Sequence, residues 1–303
     1  MYGGSPFGAE PYGFAPDYVA PQAVPANVLI LSPRVLDLAT LSASTAVSSL
    51  PVRNLQNAEP SKVWRTTSAI GQYVDIGLSS PLACNAVAMS AFNMSSAGVW
   101  RLKAYASSED IGGVPAFDSG WQSIWPGAVR HADPEWGPEI ALLRVDNEVA
   151  YRYWRIEFSD PGAGMTYLDI GRLALGRAVQ FSINCDFEAG IGFVPNDVQE
   201  PNGYGQIFTD PRPYAQRQFE MTWSALAQQE ASTVAMELAR LRGQAGDVFC
   251  FLDPGEIDNF HRWSMQGLFS GRHQFAARPL WVTDLDGQSR SAWGFTFSFI
   301  QKL

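Results

Sequence analysis

His131, His261 and His273 are the only histidines of this 303-residue chain, and none of their spacings is HxH, HxxxH or HExxH. A metal held by several imidazoles is therefore not expected. Cys84, Cys185 and Cys250 lie far apart, are odd in number and form no CxxC, which points to buried reduced thiols rather than a zinc site or a disulfide framework. Neither a GxSxG elbow nor a P-loop occurs. The 30 acidic residues supply many carboxylate pairs, but no spacing singles one out for glycosidic cleavage. No catalytic residue, metal or cofactor is assigned on these grounds, and the chain is expected not to be an enzyme. What remains is aromatic. Trp121, Trp125 and Trp136 fall in one turn-rich stretch, 117–139, and are the candidate carbohydrate-binding residues, able to stack on sugar rings. The alternative use of the same side chains is as buried core.

The elements that would position them are short strands. VLILS (28–32) reads as a buried strand, and GQYVDIGL (71–78) alternates Tyr73 and Asp75 against Val74 and Ile76. NAVAMSAFN (85–93), VWRLKAYAS (99–107), YRYWRIEF (151–158) and YLDIGRLALG (167–176) follow, with turn residues between them. In YRYWRIEF, Trp154, Ile156 and Phe158 share one face, and Arg152 and Arg155 stand among the aromatics. Many short strands with almost no helical period predict a β-sandwich or barrel. GRLALG (171–176) ends a strand rather than opening a helix, so it is not a nucleotide loop.

Beyond Gly176 the pattern changes. VQFSINCDF (179–187) and RQFEMTWSAL (217–226) read as strands, and a single helix is predicted over about 227–242. Ala231, Val234, Leu238 and Leu241 share its apolar face, Ser224 is the expected cap and Gly243 the stop. VFCFLDP (248–254), HRWSMQGLFS (261–270), PLWVTDL (279–285) and a last strand bearing Trp293, Phe295, Phe297 and Phe299 complete an α+β region. Before all of this, residues 1–26 space Pro6, Pro11, Pro16, Pro21 and Pro25 among Tyr and Phe, which favours extended chain: a tail, or an arm laid on a neighbouring subunit.

Bulk composition narrows the function. A hydrophobic content of 46% and a charged content of 17% describe a folded chain. A net charge of -9, with no run of Lys and Arg, argues against a nucleic-acid partner. No apolar stretch reaches the length of a membrane span, and MYGGSPFGAE has neither the basic nor the apolar part of an export signal.

Residues 50–80, LPVRNLQNAEPSKVWRTTSAIGQYVDIGLSS, resemble the opening of a discoidin-like (F5/8 type C, galactose-binding-like) jelly roll, with Asn54, Trp64, Gln72, Asp75 and Gly77 at matching positions. YRYWRIEF followed by YLDIGRLALG resembles that family's closing strands, and the likeness covers roughly residues 28–176. It implies that Trp154, Ile156 and Phe158 are sandwich core, with Arg152 and Arg155 anchoring edges or loops. The family's frequent Asp-Gly-Asp calcium loop is replaced by Asn57-Ala58-Glu59, a departure that speaks against a structural calcium.

The second half resembles, in layout, minor tail proteins of siphophages of the distal-tail or tail-tip class. The expected organisation is thus an N-terminal arm (1–26), a discoidin-like β-sandwich (27–176) and an α+β tail-assembly domain (177–303). This likeness implies a structural subunit of a phage tail tip or baseplate, assembled in the host cytoplasm and located in the virion. Its partners would be further copies in a ring-like homo-oligomer, the tail tube, hub and tape measure proteins, and a host-surface glycan. The alternative is a carbohydrate-binding adhesin or lectin outside a phage.

Overall fold

A computed structural model describes residues 27–125, 137–187, 189–195, 197–201, 204–210, 215–243, 245–271, 275–283 and 289–302. The N-terminal arm, Trp136, His131 and His273 lie outside the described residues. The expected class holds: the chain is mainly β, a sandwich followed by a sheet with one helix packed on it.

The first sheet contains β2 (Thr40–Ala43), β3 (Trp64–Arg65), β4 (Gln72–Phe92), β5 (Val99–Tyr105), β6 (Phe117–Asp118), β7 (Gln122–Ser123), β8 (Ile140–Ser159) and β9 (Asp169–Gly176). Two long strands serve both layers of the sandwich. The first part of β4 pairs with β2 and with the end of β8, while its second part pairs with the start of β8 and with β9. The register shifts between Gly77 and Leu82, so the two strands expected at 71–78 and 85–93 are one strand with an irregularity at Ser79–Pro81. Alternation then fills the interior: Val74, Ile76, Trp100, Leu102, Trp154, Ile156 and Phe158 are all fully buried.

The second sheet combines β1 (Leu29–Leu31), β10 (Val179–Gln180), β11 (Gly190–Val194), β14 (Gln216–Leu226), β15 (Asp247–Phe251), β16 (Ser264–Phe269), β17 (Phe275–Thr283) and β18 (Ser289–Gln301). β12 (Val198–Pro201) and β13 (Ile207–Asp210) form a separate two-stranded sheet, which continues the β11–β14 hairpin outward. This corrects one assignment. Leu29–Leu31, expected in the sandwich, pairs with β10 and β15 in the second sheet. The physical reason is double burial. Ile30 and Cys250 belong to the main core, whereas Leu29, Leu31, Phe249 and Phe251 pack with Ala86, Ala88 and Ala174 of β4 and β9. The small side chains on that face of β4 and β9 let the second sheet approach the sandwich closely.

The helical segment is α1 (Gln228–Glu230), a π turn at Ala231–Ala235 and α2 (Met236–Arg242). Ala231, Val234 and Leu238 are buried, as their spacing predicts, and Gly243 ends the helix with φ +50. Ser224 does not cap it. Its hydroxyl donates to Asp186 at 2.5 Å, and Ala227 occupies the cap position without a side-chain bond.

A buried charge cluster joins the two sheets. Arg172 of β9 donates to both oxygens of Asp247 on β15, at 2.8 and 3.0 Å, and pairs with Asp37 at 2.6 Å. Arg242 donates to Asp247 at 3.0 Å, and so does the Gln266 amide at 3.0 Å. Burial alone would lower the pKa of Arg172, but Asp247 and Asp37 outweigh it and raise it, so the guanidinium stays charged.

Candidate binding cleft

The outward face of the sandwich is built by register. Ser42 stands opposite Asp75, Asp75 opposite Arg155 and Arg155 opposite Lys103. Arg155 grips Asp75 through two bonds of 2.6 and 2.9 Å, and its guanidinium lies 3.8 Å from the Tyr73 ring centre. Its pKa is raised, chiefly by that bond to Asp75. The loop after β5 closes over this pair. Gly112 has φ +91, and a Cβ there would lie 3.3 Å from an Arg155 nitrogen, so glycine serves both the turn and the close approach.

Beside this pair opens a cleft of about 400 Å³. Thr40 and Ser42 of β2, Asp75, Gly77 and Ser79 of β4, Tyr153 of β8, and Ser108 and Ile111 of the loop line it. Leu38 flanks it, 70% exposed. Arg152 stands at its rim, with Nε donating to the Leu78 carbonyl at 2.7 Å and the guanidinium 5.2 Å from the Tyr153 ring centre. Arg152 shares its parity with the inward Trp154, yet it is exposed, because β8 here runs beside the irregularity of β4. Hydroxyls, the Asp75 carboxylate, the Arg152 guanidinium and an aromatic ring thus converge on one space. That donor and acceptor set suits a ligand rich in hydroxyl groups.

Of the candidate tryptophans, the two that are described, Trp121 and Trp125, differ in placement. Trp125 is a core residue at 3% exposure. Its ring packs 5.1 Å from Phe92 and its indole N–H donates to the Ser95 carbonyl at 2.8 Å, which corrects its assignment to sugar stacking. Trp121 is exposed at 46% with the Arg101 guanidinium 4.5 Å from its ring centre. Arg101 is itself bonded to Glu157, which also holds Lys103. The discoidin-like resemblance placed Arg152 and Arg155 as anchors, and both are, but it gave no sign that Arg152 and Asp75, the partner of Arg155, line a cleft. It also missed Thr40, Ser42 and Tyr153. The available signal was the unusual pair of arginines in an aromatic strand.

Cys84 and Cys250 are buried free thiols and Cys185 is half-buried. Burial pushes the Cys84 thiol up to about 12 and raises that of Cys250 as well, so neither is a nucleophile at neutral pH. Among the described residues, no group of three or more His, Cys, Asp or Glu side chains is placed to hold a metal ion, and no helix is long and apolar enough to cross a membrane.

No family model matches the chain, and no curated protein matches it. Solved structures similar to it cover about half of its length. The family 32 carbohydrate-binding module of C. perfringens NanJ, in complex with galactose, is 12% identical, with a TM-score of 0.37 over 50% of this chain and 99% of that one. The family 32 module of AlyQ, in complex with 4,5-unsaturated mannuronic acid, is 17% identical, with a TM-score of 0.33 over 45% and 92%. Reduced XRCC1, bound to the DNA polymerase β catalytic domain, is 19% identical, with a TM-score of 0.30 over 44% and 91%.

Proposed function

We propose that the sandwich binds a carbohydrate in the cleft between β2, β4, β8 and the loop after β5, without turning it over. The observation that carries this reading is the convergence there of the Thr40, Ser42 and Ser108 hydroxyls, the Tyr153 ring and the Asp75 carboxylate, which Arg155 holds in place. Hydroxyl side chains and a fixed carboxylate match the alternating donors and acceptors of a sugar, and a ring beside them covers its C–H face. The discoidin-like resemblance carried by Trp64, Gln72, Asp75 and Gly77 points the same way. Binding to a panel of mono- and oligosaccharides, measured by titration calorimetry, tests it. Tyr153→Ala should weaken binding by about tenfold, equivalent to 1.4 kcal/mol, while leaving the fold intact. Absence of binding to every sugar tested, or an unaffected Tyr153→Ala variant, refutes the reading. Cleavage of any bound polysaccharide refutes the non-enzymatic part.

A second reading, favoured by the outer hairpin, is a repeated structural part such as a subunit of a phage tail tip carried in the virion. Ile207 and Phe208 are 65% and 63% exposed on opposite faces of a two-stranded sheet that no third strand joins among the described residues. Such a hairpin is marginal in water without a neighbour. Light scattering of the purified chain tests it: a ring or other closed oligomer, lost in Phe208→Asp, is the expected result, and a monomer at all concentrations refutes self-assembly.

A further inference from the structure

The proposed cleft carries an uneven balance of charge, and that balance names its ligand more narrowly. Arg152 and the Asp75 carboxylate line the cleft, and Arg155 is the partner of Asp75. Arg155 and Asp75 neutralise each other through both carboxylate oxygens. Arg152 has no carboxylate within ion-pair distance among the described residues. Its bonds are to the Leu78 carbonyl and the face of Tyr153. Glu109 and Asp110 lie on the loop that supplies Ser108 and Ile111, but they are exposed and outside the lining, and Asp110 accepts the Ser107 hydroxyl at 2.8 Å. The cleft therefore holds one unmatched positive charge in a chain whose net charge is -9.

The placement of that charge is specific. The Nε bond to the Leu78 carbonyl, with the Tyr153 ring centre 5.2 Å from the guanidinium, holds Arg152 at the rim. Its two terminal nitrogens remain donors with no acceptor among the described residues. A fixed guanidinium fork matches the two oxygens of a carboxylate or sulfate, and preorganisation reduces what binding must spend in ordering it. From this we infer that the cleft selects an acidic saccharide, one whose ring carries a carboxylate or sulfate beside its hydroxyls, over its neutral counterpart. The sugar ring lies on Tyr153 among the Thr40, Ser42 and Ser108 hydroxyls, and the anionic group meets Arg152. The inference rests on the carbohydrate reading of the same cleft.

The test uses the full chain and matched pairs of probes. Uronic-acid oligosaccharides are compared with their carboxyl-reduced forms, and sulfated oligosaccharides with their desulfated forms, by calorimetry at low and high NaCl. At least one acidic member should bind about ten- to a hundredfold tighter than its neutral form, the worth of one charge-assisted hydrogen bond. That advantage should shrink at about 1 M salt, where screening acts within roughly 3 Å. Arg152→Gln should abolish the difference between the two forms. Arg152→Lys, which keeps the charge, should retain part of it, and a melting curve for each variant separates lost recognition from lost folding. Neutral forms bound as tightly as acidic ones, or a preference that survives in Arg152→Gln, overturns this inference and leaves the carbohydrate reading standing. Failure of every saccharide to bind removes both. The carboxylate and sulfate arms tell which acid the cleft takes.

Discussion

Asp247→Ala is expected to uncouple the second sheet from the sandwich. The Asp247 side chain is 2% exposed and accepts bonds from Arg172 at 2.8 and 3.0 Å, from Arg242 at 3.0 Å and from Gln266 at 3.0 Å. Gln266 in turn accepts from Ser90 of β4. Asp37 supplies the other carboxylate, 2.6 Å from Arg172 and 3.7 Å from Arg242. Two guanidiniums thus face two carboxylates. Truncating Asp247 leaves two buried cations against one anion and removes one of the two acceptors of the Gln266 amide, the other being the Ala58 carbonyl. Four charge-assisted bonds counted singly, at about 1.5–3 kcal/mol each, would overstate the loss, because Asp37 remains and water can enter. The cost of breaking one buried pair, about 3–5 kcal/mol, is the better expectation.

Urea unfolding followed by tryptophan emission measures that loss, and hydrogen exchange resolved by mass spectrometry locates it. The amides of β1, β15 and β16 should lose protection in Asp247→Ala before those of β4 and β8 do. The double variant Arg172→Met/Asp247→Leu restores the charge balance, since Arg242 and Asp37 still face each other. It should therefore be more stable than Asp247→Ala. A loss under about 1 kcal/mol, the range of exposed ion pairs, would refute the account. So would a double variant no more stable than the single one.

Trp154→Ala should destabilise the chain by about 3–5 kcal/mol, because its ring is fully buried, and an unchanged urea midpoint would contradict that. Trp125→Ala should cost at least about 3 kcal/mol, whereas Trp121→Ala should stay within about 0.5 kcal/mol, a contrast read from paired melting curves. Acid stability depends on Glu157. Burial alone would raise its pKa, but Lys103 and Arg101 outweigh burial and lower it. Its contribution is therefore complete above the unfolded carboxylate pKa of about 4.3 and is lost as pH falls through the lower folded value. Glu157→Gln should flatten the acid limb of the stability curve, and an unchanged limb would rule that contribution out.

How far these features were legible in the sequence differs with their range along the chain. In YRYWRIEF the two-residue period put Trp154, Ile156 and Phe158 on one face, and the discoidin-like resemblance implied that this face is the core, where all three are buried. The apolar face at Ala231, Val234 and Leu238, closed by Gly243, likewise gave the helix. VLILS announced a strand buried on both faces, yet a run without alternation does not say which layers cover it, and β1 joined the other sheet. Trp125 sat in a two-residue strand's wake, too short a stretch for any period to show its burial. The cleft was harder still, because its residues come from the 40s, the 70s, 108 and 152–153 and meet only through strand register. Arg152 shows why register decides. By parity it belongs inside with Trp154. The shift between Gly77 and Leu82 breaks the pairing beside it, so its long side chain reaches the rim instead, with Nε on the Leu78 carbonyl. The irregularity in β4, where four residues (78–81) stand against one residue of β8, thus converts a position that alternation assigns to the core into the charged edge of the cleft.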